Sequence, residues 1–321
     1  MPSCGLASLL PCVAAPSGFG PCRVKSLNID IVELGTGNYP GDAHCKLAML
    51  EDAAALAEFQ RVIADHGATI AALSCHGDAL HPDRARAQQD REVSRKTIVL
   101  AEKLGTPVIV DFSGCPGDSL QASAPNWVTC PWPPDYEDVL DWQWNEVVAP
   151  YWIEHGNFAA EHGVEIAIEM HPGFVVYSPE TLLRLRFIAG PSVGCNLDLS
   201  HLFWQNIDPI AAVRVLEDAI FHVHAKDTQL YPANRPRTGV LDTKPYTEER
   251  KRGWMFRTGG YGHGTNWWTE FISTLQMFGS DNVLSIEHED SLLSPEEGLT
   301  KAANFLNGIV IPDQPGAAWW V

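Results

Sequence analysis

A chain of 321 residues with 45% hydrophobic residues can bury a sizeable core, and its length suits a single α/β barrel. Lys and Arg number 22 against 40 Asp and Glu, a formal charge of −18, which repels phosphate backbones and argues against nucleic-acid binding. The same field gives no general attraction for anionic substrates, so a neutral ligand, or one held through a metal, fits it better.

In chain order, residues 1–28 are irregular. Pro11, Pro16, Gly18, Gly20 and Pro21 leave no room for an ordinary helix, although GLASLL is a weak candidate for a first strand. LASLLPCVAAP lacks a basic start and is interrupted by Pro11, so it is not read as a signal peptide. From residue 29 the pattern becomes regular. IDIVELG (29–35) reads as a strand, followed by a helical stretch over 46–67. ATIAALSCHG (68–77) precedes a charged helix from Pro82 to Leu104, and PVIVDFSG (107–114) precedes a long helix from Tyr136 to His162. EIAIEMHP (165–172) is followed by a helix with Ser178 as its cap, VGCNLDLSH (193–201) by a helix from Asp208. AIFHVHAKD (219–227) and NVLSIEHED (282–290) are the last strands, and a helix capped by Ser294 closes the series. Seven strand–helix units and a weak first one predict a (β/α)8 TIM barrel with an atypical first β/α unit, spanning 29–310, before a tail at 311–321. No GxGxxG turn favours a doubly wound dinucleotide fold, and no nucleotide cofactor is expected.

The eight cysteines contain no CxxC pair, as in a cytoplasmic protein with reduced thiols, and no apolar run is long enough to span a membrane. Two loops are unusually long, 115–134 and 228–264. Both follow strands, on the face where barrels carry their sites, and their aromatic residues would suit a lid over a sugar ring.

Strands five to eight end in side chains that bind metals. Side chains at i and i+2 of a strand share a face. Strand five therefore pairs Glu169 with His171; strand six offers Asp198, with Asn196 and Ser200 on its face and His201 beyond; strand seven offers His222, His224 and Lys226; strand eight offers Glu287 and Glu289. Converging above the barrel mouth, Glu169, Asp198, His224 and Glu287 would form an oxygen-rich site for one divalent cation, Mn²⁺ first, with Mg²⁺, Co²⁺ or Zn²⁺ as alternatives. A single such residue is more often a cap or an ion-pair partner. Four in succession would repel one another without a cation. His222 against His224, and Glu287 against Glu289, stay open.

The motifs IEMHPG, NLDLSH, FHVHAKD and LSIEHED, in that order, resemble the sugar phosphate isomerase/epimerase family with its xylose isomerase-like TIM barrel, over roughly residues 29–307. By that resemblance Glu169, Asp198, His224 and Glu287 bind the metal and His201 contacts substrate. By analogy with the ketose 3-epimerases, Glu169 and Glu287 exchange the proton. The expected activity is proton abstraction next to the carbonyl of a ketose, inosose or related oxidised carbohydrate, giving an enediolate. The alternative is a lyase on 3-keto-glycosides or keto-inositols, since relatives of that kind carry a similar ExH pair. His171 is a candidate base or a partner of Glu169. Lys226, Asp227, His76, Arg257 and His263 complete the expected substrate-binding set, with Asp111 on the same face. A nuclease on the same barrel would need a basic groove, and a non-catalytic sugar binder would show no exchange at carbon. The partner expected is a small carbohydrate, without nucleic acid or membrane. A homo-oligomer is expected, with PGAAWWV a candidate contact, and a small partner subunit if the chain is a lyase.

Overall fold

The computed structural model describes residues 29–278 and 283–311, together with 27, 320 and the backbone of 6–9. Expectations for the rest of segment 1–28 and for PGAAWWV, Trp320 apart, lie outside the described residues.

Eight parallel strands close into a barrel in the order β1-β10-β7-β6-β5-β4-β3-β2. They are β1 (Leu6–Leu9), β2 (Ile31–Gly35), β3 (Thr69–Ser74), β4 (Val108–Asp111), β5 (Glu165–Glu169), β6 (Val193–Asp198), β7 (Ile220–His224) and β10 (Leu284–Ile286). β1 falls inside GLASLL and joins β10 to β2, so the expected first strand completes the ring. β8 (Asp227–Leu230) and β9 (Trp254–Arg257) form a separate antiparallel hairpin inside the long loop after β7.

Ser178 and Ser294 cap their helices as expected, and three aspartates cap others. Asp52, Asp83, Ser178, Asp208 and Ser294 each accept backbone N–H groups at the start of a helix, each cap worth about 1 kcal/mol. Ser178 forms a capping box with Thr181. The long helix expected over 136–162 is interrupted by a π-helical stretch at Gln143–Val148. Gln143 points back there, its amide donating to the carbonyls of Pro116, Gly117 and Asn126. The 115–134 loop is thus tied to the outside of the barrel.

The strand alternation divides the interior. Ile166 and Ile168 pack into the large core between barrel and helices, whereas Ala167 joins Ala72, Val108 and Val110 in a small second cluster. Glu169 continues the side of Ala167. Small residues therefore floor the barrel, and polar ones crown it. Cys45, Cys75, Cys115, Cys130 and Cys195 are free thiols. No helix among the described residues is long and apolar enough to cross a membrane.

Candidate active site

Strand register assembles the site. Glu169 stands beside Asn196 across β5–β6, Asp198 beside His224 across β6–β7, and Ser285 beside His224 across β7–β10. Glu287 follows β10 immediately. Donor atoms of Glu169, Asp198, His224 and Glu287 lie within 4.8 Å of one another. The geometry selects His224 over His222 and Glu287 over Glu289 for this cluster. Glu289 instead accepts from Lys226 Nζ at 3.0 Å and from the Tyr39 hydroxyl at 3.3 Å.

A divalent cation fits this donor set on two observations. Three carboxylates and an imidazole make a hard, anionic site of ordinary composition for such an ion. Moreover, Asp198 Oδ2, His224 Nδ1 and Glu287 Oε2 are buried and lack a hydrogen bond of acceptable geometry, although charged neighbours stand close. Buried polar atoms are rarely left so.

Glu33, which is not among the expected site residues, lies beneath the cluster. It is fully buried and accepts from Ser74 Oγ, from Ser285 Oγ at 2.7 Å and from His222 Nε2 at 2.8 Å. His224 Nε2 lies 3.2 and 3.3 Å from its two oxygens. Burial would raise the Glu33 carboxyl, but the His224 and His222 imidazoles outweigh it and hold the pKa well below the usual value. An ionised Glu33 fixes His224 with Nε2 protonated and Nδ1 facing the cluster, as carboxylates behind metal-binding histidines do. The signal available was a lone glutamate inside the apolar run IDIVELG, next to strands with polar ends.

Glu169 is held on all sides. His76 Nε2 lies 3.0 Å from its Oε2, Asn196 donates to the same oxygen at 3.1 Å, and His201 Nε2 is 3.3 Å from Oε1. Burial pushes its pKa up, yet His76, His201 and His224 together bring it well below the usual value. For Glu287 burial is likewise overcome, chiefly by Lys226. The Lys226 ammonium sits 2.6 Å from Glu287 Oε2 and 3.0 Å from Asp198 Oδ2 and Glu289 Oε2. These carboxylates override its burial and raise its pKa well above the usual value. Both glutamates are therefore weak bases in this state.

His171 differs. Its Nδ1–H donates to the Pro172 carbonyl at 2.6 Å, which leaves Nε2 as an acceptor. Burial, followed by the neighbouring His201, pushes its pKa well below the usual value, so the ring is neutral. It packs at 4.0 Å from the His201 ring and 5.1 Å from Phe112.

A cavity of about 710 Å³ opens over the cluster. His76, Glu169, His171, His201, Lys226 and Glu287 line it, with Phe112, Tyr39 and Ser74. The 228–264 loop supplies Tyr246, Glu249, Arg252, Met255 and Phe256. The 115–134 loop supplies none of the lining, so the expectation of two lids reduces to one.

Three expected substrate contacts lie elsewhere. Asp227 is buried and turned away, accepting the backbone N–H of Thr228, Gly260, Gly262 and His263 and the indole N–H of Trp268. His263 Nδ1 lies 2.7 Å from the same carboxylate, and its ring stacks on Phe203 at 3.9 Å. Asp227 thus organises the GGYGHG turn. A Cβ at Gly262 would collide with Asp227 and the Thr228 carbonyl, which explains the glycine. Arg257 pairs with Asp290 at 3.0 Å and donates to Gln229 at 2.9 Å. The reason is common to all three: each is already taken by a polar partner of the protein, Asp227 and His263 by one another and the turn, Arg257 by Asp290 beyond β10 and by Gln229. Asp111 is also withdrawn, accepting from Gly77 and Phe112, and burial raises it to about 6.

A closed parallel barrel carrying three carboxylates and an imidazole where its strands end is a metal-competent α/β barrel. Residues 23–309 match the xylose isomerase-like TIM barrel family, and the chain belongs to it. It is 38% identical over 284 residues to the uncharacterized protein YfiH of Bacillus subtilis (strain 168), covering 87% of this chain and 90% of the relative. Among solved structures it resembles the probable 3-DHS dehydratase AsbF of Bacillus anthracis (TM-score 0.65, 16% identity, 94% and 98% of the two chains). It also resembles an IOLI protein with a zinc atom (0.64, 17%, 95% and 98%) and an L-ribulose 3-epimerase (0.61, 17%, 95% and 93%). At these identities the likeness concerns the fold.

Proposed function

We propose that the protein is a divalent-metal-dependent enzyme that removes a proton next to the carbonyl of a keto-carbohydrate. The observation that carries this reading is the cluster of Glu169, Asp198, His224 and Glu287, whose ligand atoms converge within 4.8 Å of one another at the base of a cavity. When bound there, a divalent cation supplies Lewis-acid polarisation of the carbonyl and its neighbouring hydroxyl. The zinc of the IOLI structure and the epimerase and dehydratase among the similar structures agree with this chemistry.

The protein's own residues divide the remaining work. His171 takes the proton at Nε2, because its Nδ1–H is tied to the Pro172 carbonyl and leaves that nitrogen open on the cavity wall, whereas Glu169 is held by His76 and His201 and Glu287 by Lys226. Lys226 offers an N–H to the oxygen on which charge develops. His76 and His201 hold Glu169 in place, and Phe112 and Phe256 cover the sugar ring and exclude water.

A single neutral base serves isomerisation, in which the proton returns to the adjacent carbon on the same face. It serves β-elimination equally, and the separate His171 favours that second reading over epimerisation, which needs a proton donor on each face. Proton NMR of ketoses, inososes and 3-keto-glycosides in D₂O, after metal loading and quenching, tests the proposal. Loss of a C–H signal with an intact skeleton is the isomerase result. An unsaturated keto-sugar is the lyase result. No exchange in any metal-loaded sample defeats the proposal.

A further inference from the structure

The cluster leaves one cation of the cavity wall without a task. Arg252 lies between the 3-10 turn at Glu249–Lys251 and β9, lines the cavity, and is 2% exposed. Its guanidinium carbon stands 4.5 Å from the ring of Tyr246 and 4.5 Å from that of Trp254. Nη1 donates to the Lys244 carbonyl, and Nε is buried without an acceptor. Among the described residues it has no carboxylate partner. Lys226, the other cation of the cavity wall, has three. Asp242, in the same loop, is occupied by Lys244 Nζ at 2.8 Å and the Gly253 N–H at 3.2 Å.

A buried guanidinium without a counter-charge is costly, and two aromatic faces offset only part of that cost. The lack of a carboxylate partner among the described residues calls for an anion from outside. One aromatic wall connects Arg252 to the cluster. His201 meets Phe256 at 5.4 Å, Phe256 stacks on Tyr246 at 5.6 Å, and Tyr246 carries the guanidinium.

We propose that Arg252 is the anion-recognising end of the cavity and that the substrate is a keto-sugar acid. Its carbonyl lies at the metal-competent cluster and its carboxylate at Arg252. This rests on the reading of the cluster as a carbonyl site. A carboxylate suits the position better than a phosphate. One guanidinium balances one negative charge, its planar fork matches a carboxylate, and Glu249 and Glu289 on the same wall repel a dianion. The long-range field of the chain opposes any anion, so the selectivity is a short-range effect inside the cavity.

The test is calorimetric binding of D-fructose and D-fructuronate, which share a skeleton and differ at C6, to the metal-loaded protein. The expected result is a preference for the acid of about tenfold or more. Arg252→Gln should erase that ratio, and Arg252→Lys should keep part of it. Equal binding of the two sugars by the wild type, a ratio that survives Arg252→Gln, or binding of neither sugar at millimolar concentration overturns the proposal. If Arg252→Gln fails to fold, the wild-type ratio and the Arg252→Lys variant decide. Repetition after chelation separates the two readings. An Arg252-dependent acid preference without metal-dependent exchange supports the subsite while the carbonyl reading falls. Metal-dependent exchange with no acid preference overturns the subsite alone.

Discussion

Replacing Glu33 by Gln removes one buried charge and keeps the side chain's shape. In the native protein that carboxylate faces the hydroxyls of Ser74 and Ser285 and the Nε2 atoms of His222 and His224. The amide brings its own N–H groups toward donors and leaves two imidazoles without their anion. Breaking a buried charge pair from one side costs about 3–5 kcal/mol, so chelator-treated Glu33→Gln should unfold at clearly lower urea. The second effect is on the metal. Without Glu33 the His224 ring loses the partner that fixes its orientation and its Nε2 proton, a loss worth about 10–100-fold in cation affinity. Titration against a chromophoric chelator reads this directly. Ser285→Ala is the control, since it takes away one hydrogen bond to Glu33, worth about 1 kcal/mol, and leaves the charge. A folded Glu33→Gln protein with cation affinity within about twofold of wild type would refute the role given to Glu33.

Other outcomes follow from the same geometry. His171→Asn should slow solvent exchange by about 10²–10⁴-fold while cation affinity stays put; undiminished exchange would remove His171 as the base. Asp227→Ala strands several N–H donors of the GGYGHG turn, at about 1–3 kcal/mol for each one left buried. Its thermal unfolding should therefore fall sharply with cation affinity unchanged, and a neutral result would return Asp227 to the surface. His155 is buried against Ser94 and Trp152, and burial, then Arg95 and Arg91, depresses its pKa to about 3. The unfolded chain protonates this histidine first as pH falls below about 6.5, so its contribution weakens stability by about 1.4 kcal/mol per pH unit toward pH 3. Urea unfolding at pH 6.5 and 5 should show a steeper acid loss in wild type than in His155→Gln; parallel losses would contradict the assignment.

The barrel was legible because its strands are continuous apolar runs and its helices carry recognisable caps. The cluster was legible for a related reason: a polar residue at i and i+2 just past an apolar run has few purely structural uses. Pattern alone did not choose between His222 and His224, since both point inward and only the depth along β7 separates them. Glu33 was hidden because its partners come from β3, β7 and β10, far away in sequence. Arg257, His263 and Asp227 misled for the opposite reason. They are functional residue types near the site, but the glycine-rich turn folds His263 onto Asp227, and Asp290 takes Arg257. The β8–β9 hairpin went unseen as well, and with it the wall of Tyr246, Arg252 and Phe256, because four-residue strands inside a long polar loop leave no clear alternation.

The deciding measurement is deuterium incorporation from D₂O into a keto-sugar as the divalent-cation occupancy of the protein is raised from zero. The rate should rise in proportion to occupancy, saturate at one ion per chain, and vanish in Glu169→Ala. Exchange that persists in chelator-treated protein, or fails to appear at full occupancy across neutral and acidic keto-sugars, would contradict a metal-assisted proton transfer at this site.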